Sequence, residues 1–278
     1  PVVQLSGDDV RIGQERVEQG DAVLDAAQVE AELGRVAEGA ERVRPAALAQ
    51  LRLTRARALH EGEDLKAATV ELVALAAESA GWDDDPGSHA MIAAETAVLL
   101  AESGEFDRAR EVADQALAAH GESPRYEQLS NCLRELARLQ AQRQGSAGLP
   151  GALAHLKEAG GIADEARAAE YEARGRSLDT ALAYEYGRVH AYVGAYEESL
   201  AALEKALALL GDPGEEADQA GEWAECVRLA GAVEGIYLER TAPALTRLDA
   251  AVTRLTTLGH TEAAEPLTSL AAELRDEE

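Results

Sequence analysis

Two segments whose turn glycines stand ninety residues apart follow one pattern, and that recurrence constrains the fold more than any other feature. From Met91 to His120 the chain reads MIAAETAVLLAESGEFDRAREVADQALAAH; from Thr180 to Leu210 it reads TALAYEYGRVHAYVGAYEESLAALEKALALL. Placing Gly104 on Gly194 aligns Phe106 with Tyr196, Ala109 with Ser199, and Ala116 with Ala206. In each segment apolar residues run at helical spacing up to the glycine, and a second amphipathic run follows it. The glycine supplies the backbone freedom that ends the first helix in a tight turn. An aromatic two residues later plugs the gap between the paired helices, and the small residues let the next helix approach. A helix pair of this size cannot bury its apolar face alone, so its copies must stack on one another.

Composition agrees. Alanine occurs 59 times against 4 isoleucines and 1 phenylalanine, so good helix formers abound and strand formers are too sparse for a sheet. The predicted class is all-α. Further copies are expected at 46–79, turning at Glu61-Gly62-Glu63-Asp64; at 124–159, with an extended loop QGSAGLP; at 215–240, turning near Gly231; and at 243–275, turning at Gly259-His260. Residues 160–179 read as an extra helix or a long helical extension, and 21–38 as an amphipathic helix. Residues 1–20 stay unassigned. The turn glycines 62, 104, 145, 194, 231 and 259 are spaced by 28 to 49 residues, so the period drifts.

The pattern resembles the tetratricopeptide repeat (TPR) family, whose unit is a helix–turn–helix of about 34 residues. Gly187 matches the small residue of that family's first helix, and Ala97 takes the place in the other pair. The resemblance spans roughly residues 46–275. It implies a single right-handed α-solenoid over 21–278, with about five helix pairs (46–79, 88–120, 124–159, 180–210 and the 215–275 region) and a C-terminal helix. It also implies a concave groove lined mainly by the first helix of each pair.

The formal charge of −26 argues against nucleic acid or an anionic membrane as partner, since phosphate binding needs clustered cations. No apolar run approaches the ~20 residues that span a bilayer, and no signal-peptide pattern is visible. With Pro1 first, the natural N-terminus is expected upstream. A cytoplasmic location follows from this and from two cysteines, Cys132 and Cys226, that lack metal-ligand spacing and read as buried small hydrophobes.

Chemistry-bearing motifs are scarce. The stretch W82-D-D-D-P-G-S-H89 has the D-x-D-x-G rhythm of a calcium loop, but Gly87 and Ala94 stand where that loop needs acids. Asp85 as helix N-cap and Pro86 in the first turn explain it better, and Asp212-Pro213 repeats the device. The six histidines are scattered, most of them near helix ends, and no second pair completes a metal site around His155 and Glu158. Phosphate-loop, nucleophile-elbow and zinc-protease motifs are absent. No catalytic residue, metal or cofactor is expected.

The groove is the better candidate. Anchored on Gly187, the exposed stripe of its helix is Ala181, Tyr184, Arg188, Ala191 and Tyr192. Anchoring on Ala137 gives Asn131, Arg134, Arg138 and Gln142; the 88–102 helix gives Met91, Ala94, Val98 and Glu102. Arginine and tyrosine are enriched at binding hot spots, and arginine forks onto carboxylates. The alternative is that these arginines pair with neighbouring glutamates while the tyrosines pack between repeats. The lysine/asparagine clamp by which some TPR domains hold chaperone C-termini is not reproduced.

Three functions compete. The first is a non-enzymatic protein–protein interaction scaffold that binds a peptide or partner protein, through an acidic segment or C-terminus, at Asn131, Arg134, Arg138, Tyr184, Arg188, Tyr192, Met91 and Val98. The second is a ligand- or peptide-sensing regulatory domain of a larger bacterial transcriptional or signalling protein, and the third an α-helical enzyme. The weakly amphipathic ends leave either capping helices or a homodimer open.

Overall fold

A computed structural model describes residues 45–82, 85–120, 125–169, 171–214 and 216–276. Among them are eleven α-helices and no strand. The helix expected at 21–38, the unassigned residues 1–20, Asp83 and Asp84 lie outside the described residues. The chain divides into two compact units at Cys132–Leu133.

The first unit holds α1 (Pro45–Glu61), α2 (Leu65–Ser79), α3 (Pro86–Glu102), α4 (Phe106–His120) and the start of α5 (Tyr126–Gln144). Each helix packs on the next from α1 to α4. The core of α1–α3 gathers Leu53, Ala56, Ala68, Leu72, Leu75, Ile92 and Leu99. Asp64 caps α2 by accepting from the Ala67 amide at 3.0 Å, and Asp85 caps α3 by accepting from Ser88 at 3.1 Å, with Pro86 in the first turn. Each such cap is worth about 1 kcal/mol. The expected turn at 61–64 is present, but its left-handed residue is Glu63 (φ 64°) rather than Gly62. Thr96 donates to Leu72 O across the helix pair at 3.2 Å, so its hydroxyl is satisfied within the core.

The second unit holds the rest of α5, then α6 (Leu149–Ala168), α7 (Glu172–Tyr192), α8 (Tyr196–Leu210), α9 (Ala217–Ala232), α10 (Thr241–Leu258) and α11 (Thr261–Asp276). The anticipated extended loop QGSAGLP is instead a single 3-10 turn, Gly145–Ala147, in which Gly145 takes a left-handed φ of 57°. Residues 160–179 form no separate helix. They lengthen α6 to Ala168 and start α7 at Glu172, and Gly175 is buried where α7 crosses the stem of Arg167.

The aligned pairs behave alike. Gly104 and Gly194 are left-handed at φ 84° and 78°, α4 and α8 begin at Phe106 and Tyr196, and Ala109, Ser199, Ala116 and Ala206 are fully buried. Gly187 sits so close to α8 that a Cβ there would lie 2.6 Å from Leu203 Cγ, and Ser199 Oγ donates to Gly187 O at 2.7 Å.

Gly231 makes no turn. It lies within α9 and faces Leu248 of α10, where a Cβ would come to 2.9 Å, so it is the counterpart of Gly187. The chain turns only at 238–240, after a π-helical segment, Val233–Tyr237. That segment absorbs one extra residue: Gly187 precedes buried Ser199 by twelve positions, whereas Gly231 precedes buried Ala244 by thirteen. The hairpins are therefore α7/α8 and α9/α10. The last helix, α11, follows the left-handed Gly259 and packs on both α9 and α10. Asp212 and Pro213 do not repeat the cap of Asp85, since α9 starts after Glu216 with no side-chain cap.

Arginines bind these layers together. Arg240, which precedes α10, and Arg247 and Arg254 within it recur every seventh residue and reach Glu197, Glu204 and Asp212, on α8 and just past its end. Equivalent helices of consecutive hairpins thus lie side by side.

Candidate functional site

In the second unit the first helices of the two hairpins, α7 and α9, also adjoin, and Tyr184 Oη donates to Glu225 Oε1 at 3.3 Å across them. Between them opens a cleft of about 280 Å³. Tyr184, Arg188, Ala191 and Tyr192 of α7 line one wall; Glu225, Arg228 and Leu229 of α9 line the other. Tyr196, Val233 and Tyr237 close one end, where the Tyr196 and Tyr237 rings stack at 4.6 Å. Large apolar side chains exposed among the described residues are few. Three of them, Tyr192 (41%), Ile236 (44%) and Tyr237 (53%), belong to this cleft or the π segment bordering it. The π turn has local consequences: it carries Ile236 and Tyr237 outward while Val233 stays in the core.

The charges are ordered. Arg228 forks onto Glu225 with two bonds of 2.7 Å, which holds that carboxyl below its usual range. Burial, and then the Glu225 carboxylate, push the Tyr184 phenol up, so it remains a donor. The Arg188 guanidinium lies 5.7 Å from the Tyr184 ring centroid, a cation–π contact. It also donates to Glu185 Oε2 at 3.3 Å.

Glu185 is unusual. It is only 2% exposed, its Oε1 has no hydrogen-bond partner, and burial raises its pKa to about 7 despite Arg188, Arg134 and Arg138 nearby. Arg138 of α5 forks onto Glu135, with an Nε bond of 2.9 Å, and reaches Gln142 Oε1 at 3.3 Å. Burial pushes Arg134 down from its ordinary value.

Of the residues expected to line a groove, the second unit brings together Arg134, Arg138, Tyr184, Arg188 and Tyr192, with the last three in the cleft itself. The other three belong to the first unit: Met91 packs half-buried against the α1–α3 core, Val98 is half-buried on α3, and Asn131 is exposed on α5. The stripe residue Ala94 is buried and Glu102 pairs with His60 at 2.7 Å. Sequence reasoning missed Tyr196, Glu225, Arg228 and Tyr237. The signal was available. With Gly231 aligned on Gly187, Arg228 takes the place of Tyr184 and Glu225 that of Ala181.

A second, smaller cavity of about 210 Å³ lies between α7 and α8, lined by Asp179, Tyr186, His190 and Lys205 among others. Cys132 and Cys226 are buried thiols; the Cys226 thiol donates to Leu203 O at 3.6 Å, and burial raises its pKa to about 12. Among the described residues no three His, Cys, Asp or Glu side chains converge as metal ligands, and no helix is long and apolar enough to cross a membrane.

Fold and site together define a class: an all-α chain of stacked helix hairpins with an arginine–tyrosine cleft on its first helices. No family model matches the chain, and no curated protein matches it. Solved structures do. The crystal structure of BtubC (BKLC) from P. vanneervenii is similar at 18% identity, over 91% of this chain and 89% of that one, with a TM-score of 0.54. The TPR2AB-domain:pHSP90 complex of yeast Sti1 aligns at 15% identity, over 90% and 93%, with a TM-score of 0.31. The likeness to BtubC is one of fold.

Proposed function

We propose that the chain is a non-enzymatic interaction module of TPR type, which holds a peptide segment of a partner protein along the α7/α9 cleft. The observation that carries this reading is the cleft's make-up. Exposed Tyr192 and Tyr237 offer rigid, amphipathic contact area next to two arginines, on a chain whose formal charge is −26. Glu225 already engages Arg228, whereas Arg188 has a single 3.3 Å carboxylate contact beside the Tyr192 hydroxyl and the face of Tyr184, which leaves it better able to take an anionic group. An acidic segment or a C-terminal carboxylate next to an apolar residue fits this combination.

Selection of a random peptide library on the immobilised protein tests the reading. Enriched peptides should share an acid beside an aromatic or aliphatic residue, and Arg188→Glu or Tyr237→Ala should weaken them at least tenfold. Enrichment that is indifferent to both substitutions places binding elsewhere.

A further inference from the structure

Glu185 is a buried carboxyl that the packing does not explain. A helix facing the core would hold an alanine or leucine there at no electrostatic cost, yet this side chain is ionisable, 2% exposed and lacks a partner for Oε1. Its one hydrogen bond comes from Arg188, and Arg188 is also a wall of the cleft. The two roles of that arginine compete. A guanidinium that turns to fork onto a carboxylate in the cleft draws away from Oε2 of Glu185.

Removing the partner of a buried charge leaves it uncompensated, and such a group neutralises rather than stay ionised. The charged groups around it do not reverse this. From α5, Arg134 and Arg138 attract the carboxylate, but Glu135 repels it and already binds Arg138. On α7 itself stand Arg188 and the phenol of Tyr184, which Glu225 of α9 engages. A carboxylate entering beside Arg188 adds a further like charge.

We propose that docking of an acidic peptide in the α7/α9 cleft is proton-linked: Arg188 passes from Glu185 to the peptide carboxylate, and Glu185 takes up a proton in exchange. The inference rests on the cleft being the binding face. In the free protein Glu185 titrates at about 7. Below that pH the carboxyl is already neutral, Arg188 is at liberty, and affinity is flat. Above it each docking event must draw a proton from solution, so affinity falls by up to about tenfold per pH unit until the bound-state pKa is passed.

The probe is a fluorescein-labelled peptide of alternating glutamate and leucine, with its glutamine counterpart as control. Fluorescence anisotropy from pH 6 to 8.5 gives Kd, and calorimetry at pH 8 in two buffers of different ionisation enthalpy counts protons without any variant. The expected result is uptake approaching one proton, a Kd that weakens above pH 7, and loss of both in Glu185→Gln. That variant should bind at pH 8 as tightly as the wild type does at pH 6. Binding of the glutamate peptide with no proton uptake, or with an unchanged pH slope in Glu185→Gln, overturns the linkage while leaving the cleft reading intact. Preference for the glutamine peptide also overturns it. Failure of both peptides to bind at any pH overturns the cleft reading and the linkage together.

Discussion

Replacing Gly187 by alanine sets two physical effects of opposite sign against each other. Alanine favours a helix interior over glycine by about 0.5–1 kcal/mol, through the entropy of the unfolded chain. Against this, the new methyl would lie 2.6 and 2.7 Å from Leu203 Cγ and Cδ2, where ordinary contact begins near 3.4 Å. Leu203 of α8 is fully buried against α7 and α9. Overpacking of this kind costs about 1–3 kcal/mol, so Gly187→Ala should destabilise the protein by about 1 kcal/mol net. Gly161 and Gly221 lie inside α6 and α9 with nothing within 4 Å, so alanine there should stabilise by about 0.5–1 kcal/mol. Gly231→Ala, with its closest approach of 2.9 Å to a leucine methyl, belongs between the two. Urea unfolding followed by circular dichroism measures the series as midpoint shifts at constant slope. Adding Leu203→Ala should make the Gly187→Ala change nearly neutral, because the clash disappears and the methyl fills part of the cavity. If Gly187→Ala stabilises as much as Gly161→Ala, the close approach of α7 to α8 is wrong, and with it the alignment of Gly187 with Gly231.

Two further outcomes follow from the charged and thiol groups. Arg247 bonds both exposed Glu204 at 3.0 Å and buried Glu234 at 3.1 Å, whereas Arg254 reaches only exposed Asp212 at 3.5 Å. Arg247→Met should therefore cost about 1–3 kcal/mol by stranding Glu234, and Arg254→Met under about 0.5 kcal/mol; equal losses in urea melts would refute the distinction. Cys226, its pKa raised to about 12 by burial, should resist a thiolate-selective disulfide reagent at pH 8 in the native state and react on unfolding. Native-state labelling as fast as that of free cysteine would show that the α8–α9 packing opens readily.

The helix class and four of the turns between helices were legible because turn chemistry is local. Gly104, Gly145, Gly194 and Gly259 all take the left-handed backbone that only glycine enters cheaply. At 61–64 the same backbone is supplied by Glu63, so the turn was found while its hinge was misassigned. Gly231 misled for a physical reason: a glycine within a helix and a glycine ending one look alike in sequence, and only the partner across the interface separates them. Leu248 is that partner, and it lies seventeen residues on. The caps divide in the same way. Asp85-Pro86 and Asp212-Pro213 are one signal in sequence, but α9 starts four residues beyond Pro213, so Asp212 instead meets Arg254.

Half of the candidate cleft's lining was legible, and most of the other half lies on α9 and the π segment that follows it. Reading Gly231 as a turn denied α9 the small packing residue on which an exposed stripe could be anchored, as Gly187 anchored that of α7, and Glu225 and Arg228 were left out. The π segment also builds the cleft. A regular α-helical turn would carry each residue from Val233 to Tyr237 through about 100°. The wider turn shifts that phase, which keeps Val233 in the core and leaves Tyr237 outside, stacked on Tyr196. Tyr196 stands at the aromatic position that, two residues after the turn glycine, plugs the gap within a hairpin. Here the plug also serves as the floor on which a cleft aromatic rests. A feature that looks like noise in the repeat period is thus where this repeat departs from pure packing, and the departure is what creates an exposed aromatic beside Arg188 and Arg228.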